Sequence, residues 1–198
     1  LYFLARICFL ARDDLAKAQA LIEESLELFK EVGNRRLVAY ARHLLGQILL
    51  IKGDESRAYS MLEASIGTFR VSKERSAVAD VLITLGRLAT LQGDTEAAQA
   101  SYHESWALLQ AIAAKDLSIN CLEGYGEALV AQGEPKRAVQ LWATAATVRA
   151  AIMSPMPPVY RTSFTQAVTT ARQHLGEAAF QSAWAQGHKI PLEQVQFI

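Results

Sequence analysis

Residues 85–105 have the sequence LGRLATLQGDTEAAQASYHES, and two further segments of the chain follow the same pattern. The counterparts are LGQILLIKGDESRAYSMLEAS at 45–65 and YGEALVAQGEPKRAVQLWATA at 125–145, so the copies begin 40 residues apart. A partial first copy precedes them. Self-similarity at a fixed period of this length indicates an array of helical repeats.

Each copy places the same kinds of side chain at the same positions. Six columns stay in register, which is more agreement than chance produces. In chain order they are a glycine (Gly46, Gly86, Gly126), a second glycine (Gly53, Gly93, Gly133, with Asp13 in the partial copy), an acidic residue (Asp14, Asp54, Asp94, Glu134), an alanine (Ala18, Ala58, Ala98, Ala138), a large apolar residue (Ile22, Leu62, Tyr102, Trp142) and a small residue (Ser25, Ser65, Ser105, Ala145).

The columns predict a helix, a tight turn and a second helix in every copy. Apolar residues recur at helical spacing on both sides of the turn. Gly53 stands where a helix end favours a residue with positive φ, and Asp54 can accept hydrogen bonds from the free amides of the next helix. Pro135 falls at a first helical position, where its missing N–H costs nothing. We therefore predict helix pairs at 1–12 and 15–32, 35–52 and 55–71, 74–92 and 95–113, and 116–132 and 135–153.

Small residues in the columns are expected to let the two helices of a pair approach closely. Gly46 and Ala58 would then face each other. Because a helix pair alone buries only one face, successive pairs must stack on one another. The residues assigned to this packing role are Gly46, Gly86, Gly126, Ala18, Ala58, Ala98 and Ala138.

The tail differs in composition from the repeats. Three prolines in 154–158 stop any helix, and two further helices are predicted at 158–175 and 177–187, divided by Gly176. Phe180 and Trp184 form an i, i+4 aromatic pair that we expect to join the core. The predicted fold is an all-α, right-handed α-α superhelix of about four helical hairpins with a C-terminal helical cap. Its domains are the repeats at 1–153 (1–33, 34–72, 73–113, 114–153) and the cap and tail at 154–198.

Composition excludes several classes of function. Hydrophobic residues make up 51% of the chain and charged residues 20%, which is typical of a folded protein. Twenty basic residues balance twenty acidic ones. A basic face for nucleic acid is therefore not expected, and no uncharged apolar run approaches the ~18 residues of a membrane span. Cys8 and Cys121 lack CxxC spacing, so we expect buried thiols in a reducing compartment and a cytoplasmic protein.

Catalytic and metal-binding motifs are missing from the sequence. The four histidines show no HExxH spacing, and neither a GxSxG elbow nor a phosphate-binding GxxxxGK[ST] loop occurs. The segment 124–126, Gly-Tyr-Gly, lacks a third glycine and a preceding strand, so we interpret it as helix packing. We expect no catalytic, metal or cofactor site and no enzyme activity.

The repeat columns resemble a known family. Leu45-Gly46 followed by Ala58, Leu62 and Ser65 is similar to the tetratricopeptide (TPR) signature, and the other copies agree. The period of 40 exceeds the usual length of about 34, and the usual proline at the repeat end is absent. Long repeats of this kind, with the tail ARQHLGEAAFQSAWAQGHKIPLEQ at 171–194, resemble the helical domain of LuxR-type and maltose-activator-type ATPase transcription regulators.

That resemblance implies a place in a larger protein. A nucleotide-binding switch module would lie upstream and a helix-turn-helix domain downstream. Leu rather than Met begins the sequence, so we expect it to be part of a longer chain.

The resemblance also implies a binding surface, because the first helix of each TPR-like pair lines a concave groove. Phe3, Ile7 and Leu10 would form its apolar end. The mixed charges of the remaining positions do not match the Lys and Asn clamp of chaperone-binding TPRs. The candidate groove residues are Tyr40, His43, Gln47, Asp80, Ile83, Arg87, Asn120, Glu123 and Glu127.

Three classes of function follow. The favoured one is a protein-interaction and signal-relay module that binds a protein or peptide, including other domains of the same chain. The second is a sensor that binds a small molecule or peptide in the groove. The third is a self-association module. In each class we expect no cofactor, no membrane contact and no direct contact of this segment with nucleic acid.

The alanine column yields a stability test. Ala98→Trp is expected to overpack the contact between paired helices and lower the free energy of unfolding by about 1–3 kcal/mol or more. Denaturant melts measure this, and a loss below ~0.5 kcal/mol would count against the proposed register.

Overall fold

The computed structural model describes residues 1–12 and 14–197, and these contain helices and no β-strand. The all-α class predicted from the sequence is therefore confirmed. Asp13, placed in the second glycine column, lies outside the described residues. Ten α-helices follow one another in this part of the chain: α1 Tyr2–Ala11, α2 Leu15–Glu31, α3 Arg35–Ile51, α4 Glu55–Val71, α5 Arg75–Gln92, α6 Thr95–Ile112, α7 Lys115–Ala131, α8 Pro135–Ala151, α9 Pro158–Leu175 and α10 Glu177–Gly187.

The observed helices begin and end within two residues of the predicted ones. Local chemistry accounts for this agreement. Gly53 has a φ of 82°, and the Asp54 carboxylate accepts a hydrogen bond from the Arg57 amide at 3.3 Å. Glu134 makes no such cap, because its longer side chain instead binds Arg137 at 2.6 Å.

The glycines of the first column lie against the large residues of the following helix. A Cβ added at Gly46 would lie 2.9 Å from Leu62, and one at Gly86 would lie 2.7 Å from the Tyr102 ring. At Gly126 it would collide with the Trp142 indole. Each glycine thus makes room for a side chain of the neighbouring helix, so the two columns act as one contact.

Consecutive helices pack against each other throughout the repeats. The first helices of successive pairs are also neighbours, since α1 packs against α3, α3 against α5, and α5 against α7. The apolar core divides into two clusters, one formed mainly by α1 to α5 and the other by α5 to α10. None of the described helices is long and apolar enough to cross a lipid bilayer.

The tail does more than cover the last repeat. As expected of a cap, α10 packs against α8. However, α9 also packs against α1 and α7, and Val159 is buried in the first core cluster. The Arg12 guanidinium donates a hydrogen bond to the Thr162 hydroxyl at 2.7 Å. The tail therefore returns to the opposite end of the repeats.

The glycine contact can be tested with a matched pair of substitutions. Gly126→Ala is expected to lower the free energy of unfolding by about 1–3 kcal/mol, because the new methyl group collides with Trp142. Gly67 is also helical but has open space around it, so Gly67→Ala should stabilise by about 0.5–1 kcal/mol. Urea melts measure both, and equal effects would contradict the assignment.

Candidate functional site

Two neighbouring pockets open where α3, α5 and α7 meet α1 and α9. The first, here called the central pocket, encloses about 600 Å³ of empty space including its open mouth. Its lining residues are Phe9, Gln47, Leu50, Ile51, Thr84, Arg87, Thr90, Leu91, Tyr102, Gly124, Glu127, Tyr160 and Ser163. The second, here called the side pocket, is lined by Tyr2, Arg6, Phe9, Leu10, Tyr40, His43, Leu44, Gln47, Asp80, Leu117, Asn120, Pro157 and Tyr160.

The structure brings seven of the nine candidate groove residues to these pockets. Gln47, Arg87 and Glu127 line the central pocket. Tyr40, His43, Asp80 and Asn120 join Gln47 in lining the side pocket. The remaining two, Ile83 and Glu123, are buried and line neither pocket.

The expected apolar end of the groove is only partly present. Leu10 lines the side pocket, whereas Phe3 and Ile7 of α1 are 75% and 63% exposed. They contribute to neither pocket.

Several lining residues were not predicted as part of a site. Tyr102 belongs to a repeat column, and Gly124 was interpreted as packing. Tyr160 lies in the tail, and no feature of the sequence around it indicates that it meets the first helices of the repeats. Phe9 fits a helical apolar pattern, which carries no information about a pocket.

Tyr160 occupies the space between the two pockets. The Arg87 guanidinium carbon lies 4.1 Å from the centre of its ring, which is a cation–π contact. The Phe9 ring meets the same tyrosine edge-on, with the ring centres 6.3 Å apart. A side chain of the tail thus covers part of the surface that the sequence assigned to binding.

The Tyr102 hydroxyl is buried in the wall of the central pocket. Tyr102 has 0% exposure, and its hydroxyl is the only buried side-chain nitrogen or oxygen in the described chain without a hydrogen-bond partner. A Cβ at Gly124 would lie 2.8 Å from this oxygen, so the glycine leaves the space that the hydroxyl occupies. Burial raises the pKa of Tyr102 well above its usual value.

Glu127 and Arg87 both line the pocket, yet no salt bridge within 4 Å joins them in the part of the chain described. Burial raises the pKa of Glu127 to about 7, against the opposing attraction of Arg87. The charge of Glu123 adds to the increase. Near neutral pH this carboxyl group is therefore partly protonated.

The other acidic candidate on α7 belongs to an internal network. Both carboxylate oxygens of Glu123 accept hydrogen bonds from Arg149, at 2.6 and 2.7 Å. The same guanidinium donates to the Asn120 side chain at 3.2 Å and to the Ser154 carbonyl at 3.0 Å. This bidentate pair is nearly buried and ties α7 to the turn that leads into α9. Glu123 and Asn120 therefore position the tail.

The side pocket is polar on one wall. A ring nitrogen of His43 lies 3.2 Å from the Thr84 hydroxyl, and the other lies 3.8 Å from the Asp80 carboxylate. Burial lowers the pKa of His43, although Asp80 opposes this, so the ring is neutral at pH 7. The Tyr40 hydroxyl donates to Glu74 at 2.8 Å. These contacts hold the wall in one arrangement.

The two cysteines lie outside both pockets. Burial raises the pKa of the Cys121 thiol to about 12, so it is protonated and a poor nucleophile. Cys8 is likewise a buried free thiol. Among the described residues, no group of three or more His, Cys, Asp or Glu side chains is placed to hold a metal ion.

Neither a protein-family model nor a curated protein sequence matches the chain. The likeness to TPR repeats and to regulator domains therefore rests on the repeat columns and the tail sequence.

The raised pKa of Glu127 makes stability depend on pH. Because the folded pKa of about 7 exceeds the ordinary 4.5, the folded state binds the proton more tightly than the unfolded state. The associated stability is present below pH 4.5 and is lost as pH rises through 7. Between pH 5 and 8 we expect the wild type to lose about 1–2 kcal/mol relative to Glu127→Gln, after allowing for partial exposure.

Urea melts at the two pH values measure this difference. Glu63→Gln, at an exposed position on α4, is the control and should follow the wild type. If Glu127→Gln shows the same pH dependence as the wild type, the assignment is wrong.

Proposed function

We propose that this chain is a non-catalytic recognition and signal-relay module, built as a right-handed TPR-like superhelix of four helical hairpins. The contacts of α1 with α3, α3 with α5 and α5 with α7 support this architecture. In a stack of hairpins, neighbouring first helices form one continuous inner face. The residues Arg87, Gln47 and Glu127 would belong to that face.

One observation carries the proposal: a segment of the same chain packs against residues that we assign to the inner face. The turn before α9 and its first residues lie there, with Tyr160 on Arg87 and Thr162 bonded to Arg12. A groove that accepts the aromatic side chain of one helix is suited to accept another such helix. A partner that displaces Tyr160 would move α9, and the tail would transmit that event.

The biological setting follows from the family resemblance. The repeat columns and the tail at 171–194 support a place inside a cytoplasmic ATPase transcription regulator. The module would then connect binding on its inner face to the other domains of that protein.

A small-molecule sensor is the second candidate function. It is favoured by the central pocket, which lies beneath Tyr160 and contains the unpartnered Tyr102 hydroxyl. A ligand there would touch both the repeats and the tail, so it could drive the same relay.

The relay is tested in the full-length protein. The coding sequence should contain a phosphate-binding loop upstream of this segment and a helix-turn-helix downstream. Tyr160→Ala should then change basal transcriptional output about fivefold or more, because it removes roughly 1 kcal/mol of contact between tail and repeats.

Thr165→Ala is the matched control, since Thr165 lies exposed on the same helix and should leave output unchanged. Flanks that lack both domains would refute the regulator assignment. If hydrogen exchange shows that Tyr160→Ala releases α9 while output stays at the wild-type level, the tail does not relay.

A further inference from the structure

Two side chains that line the central pocket, Tyr102 and Arg87, carry hydrogen-bond donors. The Tyr102 hydroxyl has no partner among the described residues although the side chain is fully buried. Arg87 is covered on one face by Tyr160 and forms no salt bridge in the described chain. Buried polar groups are almost always satisfied, so an unpaired hydroxyl at a cavity wall marks a place for a bound group.

We propose that the central pocket binds a small apolar monocarboxylate, with its carboxylate on Arg87 and the Tyr102 hydroxyl. This inference rests on the second candidate function above. It names the site and the chemical class of the ligand.

The donors select the head group. Arginine presents its N–H groups in a planar fork that matches a carboxylate, while the tyrosine hydroxyl adds a single donor beside it. A tyrosine hydroxyl is protonated near neutral pH and can therefore donate, and burial raises the pKa of Tyr102 further. Two donors that line one pocket suit a group that only accepts hydrogen bonds.

The lining selects the rest of the ligand. Phe9, Leu50, Ile51 and Leu91 supply an apolar wall, and the Tyr160 ring closes it. Sites for small molecules are commonly apolar with a few placed polar groups that fix orientation. A short hydrocarbon or aromatic body fits this wall, whereas a strongly hydrated body does not.

The charges of the lining residues favour a ligand whose polar group carries a single negative charge. Arg87 is the one basic residue that lines the pocket, and Glu127 stands on the same wall. The other groups that interact with this carboxyl group are Tyr102 and Glu123, and Arg149 neutralises Glu123. A phosphate dianion would meet a single cation together with a carboxyl group, so the site favours a monoanion.

The proposed site also predicts an effect on the stability of the unliganded protein. A buried hydroxyl without a partner destabilises the fold, and a ligand acceptor would remove that penalty. Tyr102→Phe should therefore raise the melting temperature of the free protein while weakening ligand binding. A purely structural tyrosine would not combine these two effects.

Calorimetric titration of the chain with hexanoate tests the proposal. Acetate has the carboxylate without the long hydrocarbon chain, and hexylamine has a hydrocarbon chain with a positively charged group. Hexanoate is expected to bind, with acetate and hexylamine at least tenfold weaker. Tyr102→Phe and Arg87→Met should each weaken hexanoate at least tenfold, or about 1.4 kcal/mol.

The controls are Tyr59→Phe, at an exposed position on α4, and Arg42→Met, half-buried on α3 and outside both pockets. Both should bind hexanoate like the wild type. Arg87→Met also removes the contact with Tyr160 and could prevent folding. In that case Tyr102→Phe alone tests the proposal, because it deletes a single oxygen and leaves the ring in place.

The proposal is overturned if hexanoate does not bind at concentrations of a few mM. A Kd of that size corresponds to a binding free energy of about 3–4 kcal/mol in magnitude. Undiminished binding to Tyr102→Phe, or tighter binding of hexylamine than of hexanoate, would also overturn it. These failures leave the relay intact, because the Tyr160→Ala experiment measures output without any added ligand. A failed relay with hexanoate still bound would conversely reject only the relay.

Discussion

The contact between a glycine on one helix and a large side chain on the next underlies the rest of the structure. At Gly46, Gly86 and Gly126 a single methyl group would collide with Leu62, Tyr102 and Trp142, respectively. Dispersion and burial both depend on this closeness, since a gap of half an ångström already forfeits much of the attraction. These glycine contacts set the distance between the two helices of a pair, and the pairs stack at the spacing that results.

The same contact places a polar atom at the pocket. Leu62 in the second copy is apolar, but the third copy has Tyr102, whose ring fills the equivalent space and whose hydroxyl extends further. That oxygen reaches Gly124 on α7, and both residues line the central pocket. In the fourth copy the Trp142 indole finds a partner, donating to the Glu123 carbonyl at 3.1 Å. The third copy is thus the one whose column residue carries an unused donor.

A second constraint connects the repeats to the tail. The buried Glu123–Arg149 pair holds the end of α8 and, through the Ser154 carbonyl, the turn that follows. Removing one partner of such a pair would leave an uncompensated buried charge, which commonly costs about 3–5 kcal/mol. From this turn α9 returns across the first helices and brings Tyr160 to Arg87. The geometry of the pockets therefore depends on a pair that lines neither of them.

The helices and their joints could be predicted from residues close together in the chain. Gly53 with Asp54, and Gly93 with Asp94, end one helix and begin the next through contacts within about one turn. The repeat period then identified which helices are equivalent, and the TPR resemblance predicted which of their residues share a binding surface. Arg87, Gln47 and Glu127 followed from that register and do line the central pocket.

No pattern in the sequence predicts that the tail returns to the first helices. Arg12 and Thr162 are 150 positions apart, and no periodic pattern connects them. Whether Glu123 faces a pocket or a buried arginine likewise depends on where α8 carries Arg149. Short-range chemistry thus settles helices, turns and register, because its partners are neighbours in sequence. The packing of α9 against α1 and α7 arises only when all the packed helices are in place, because its contacts join distant parts of the chain.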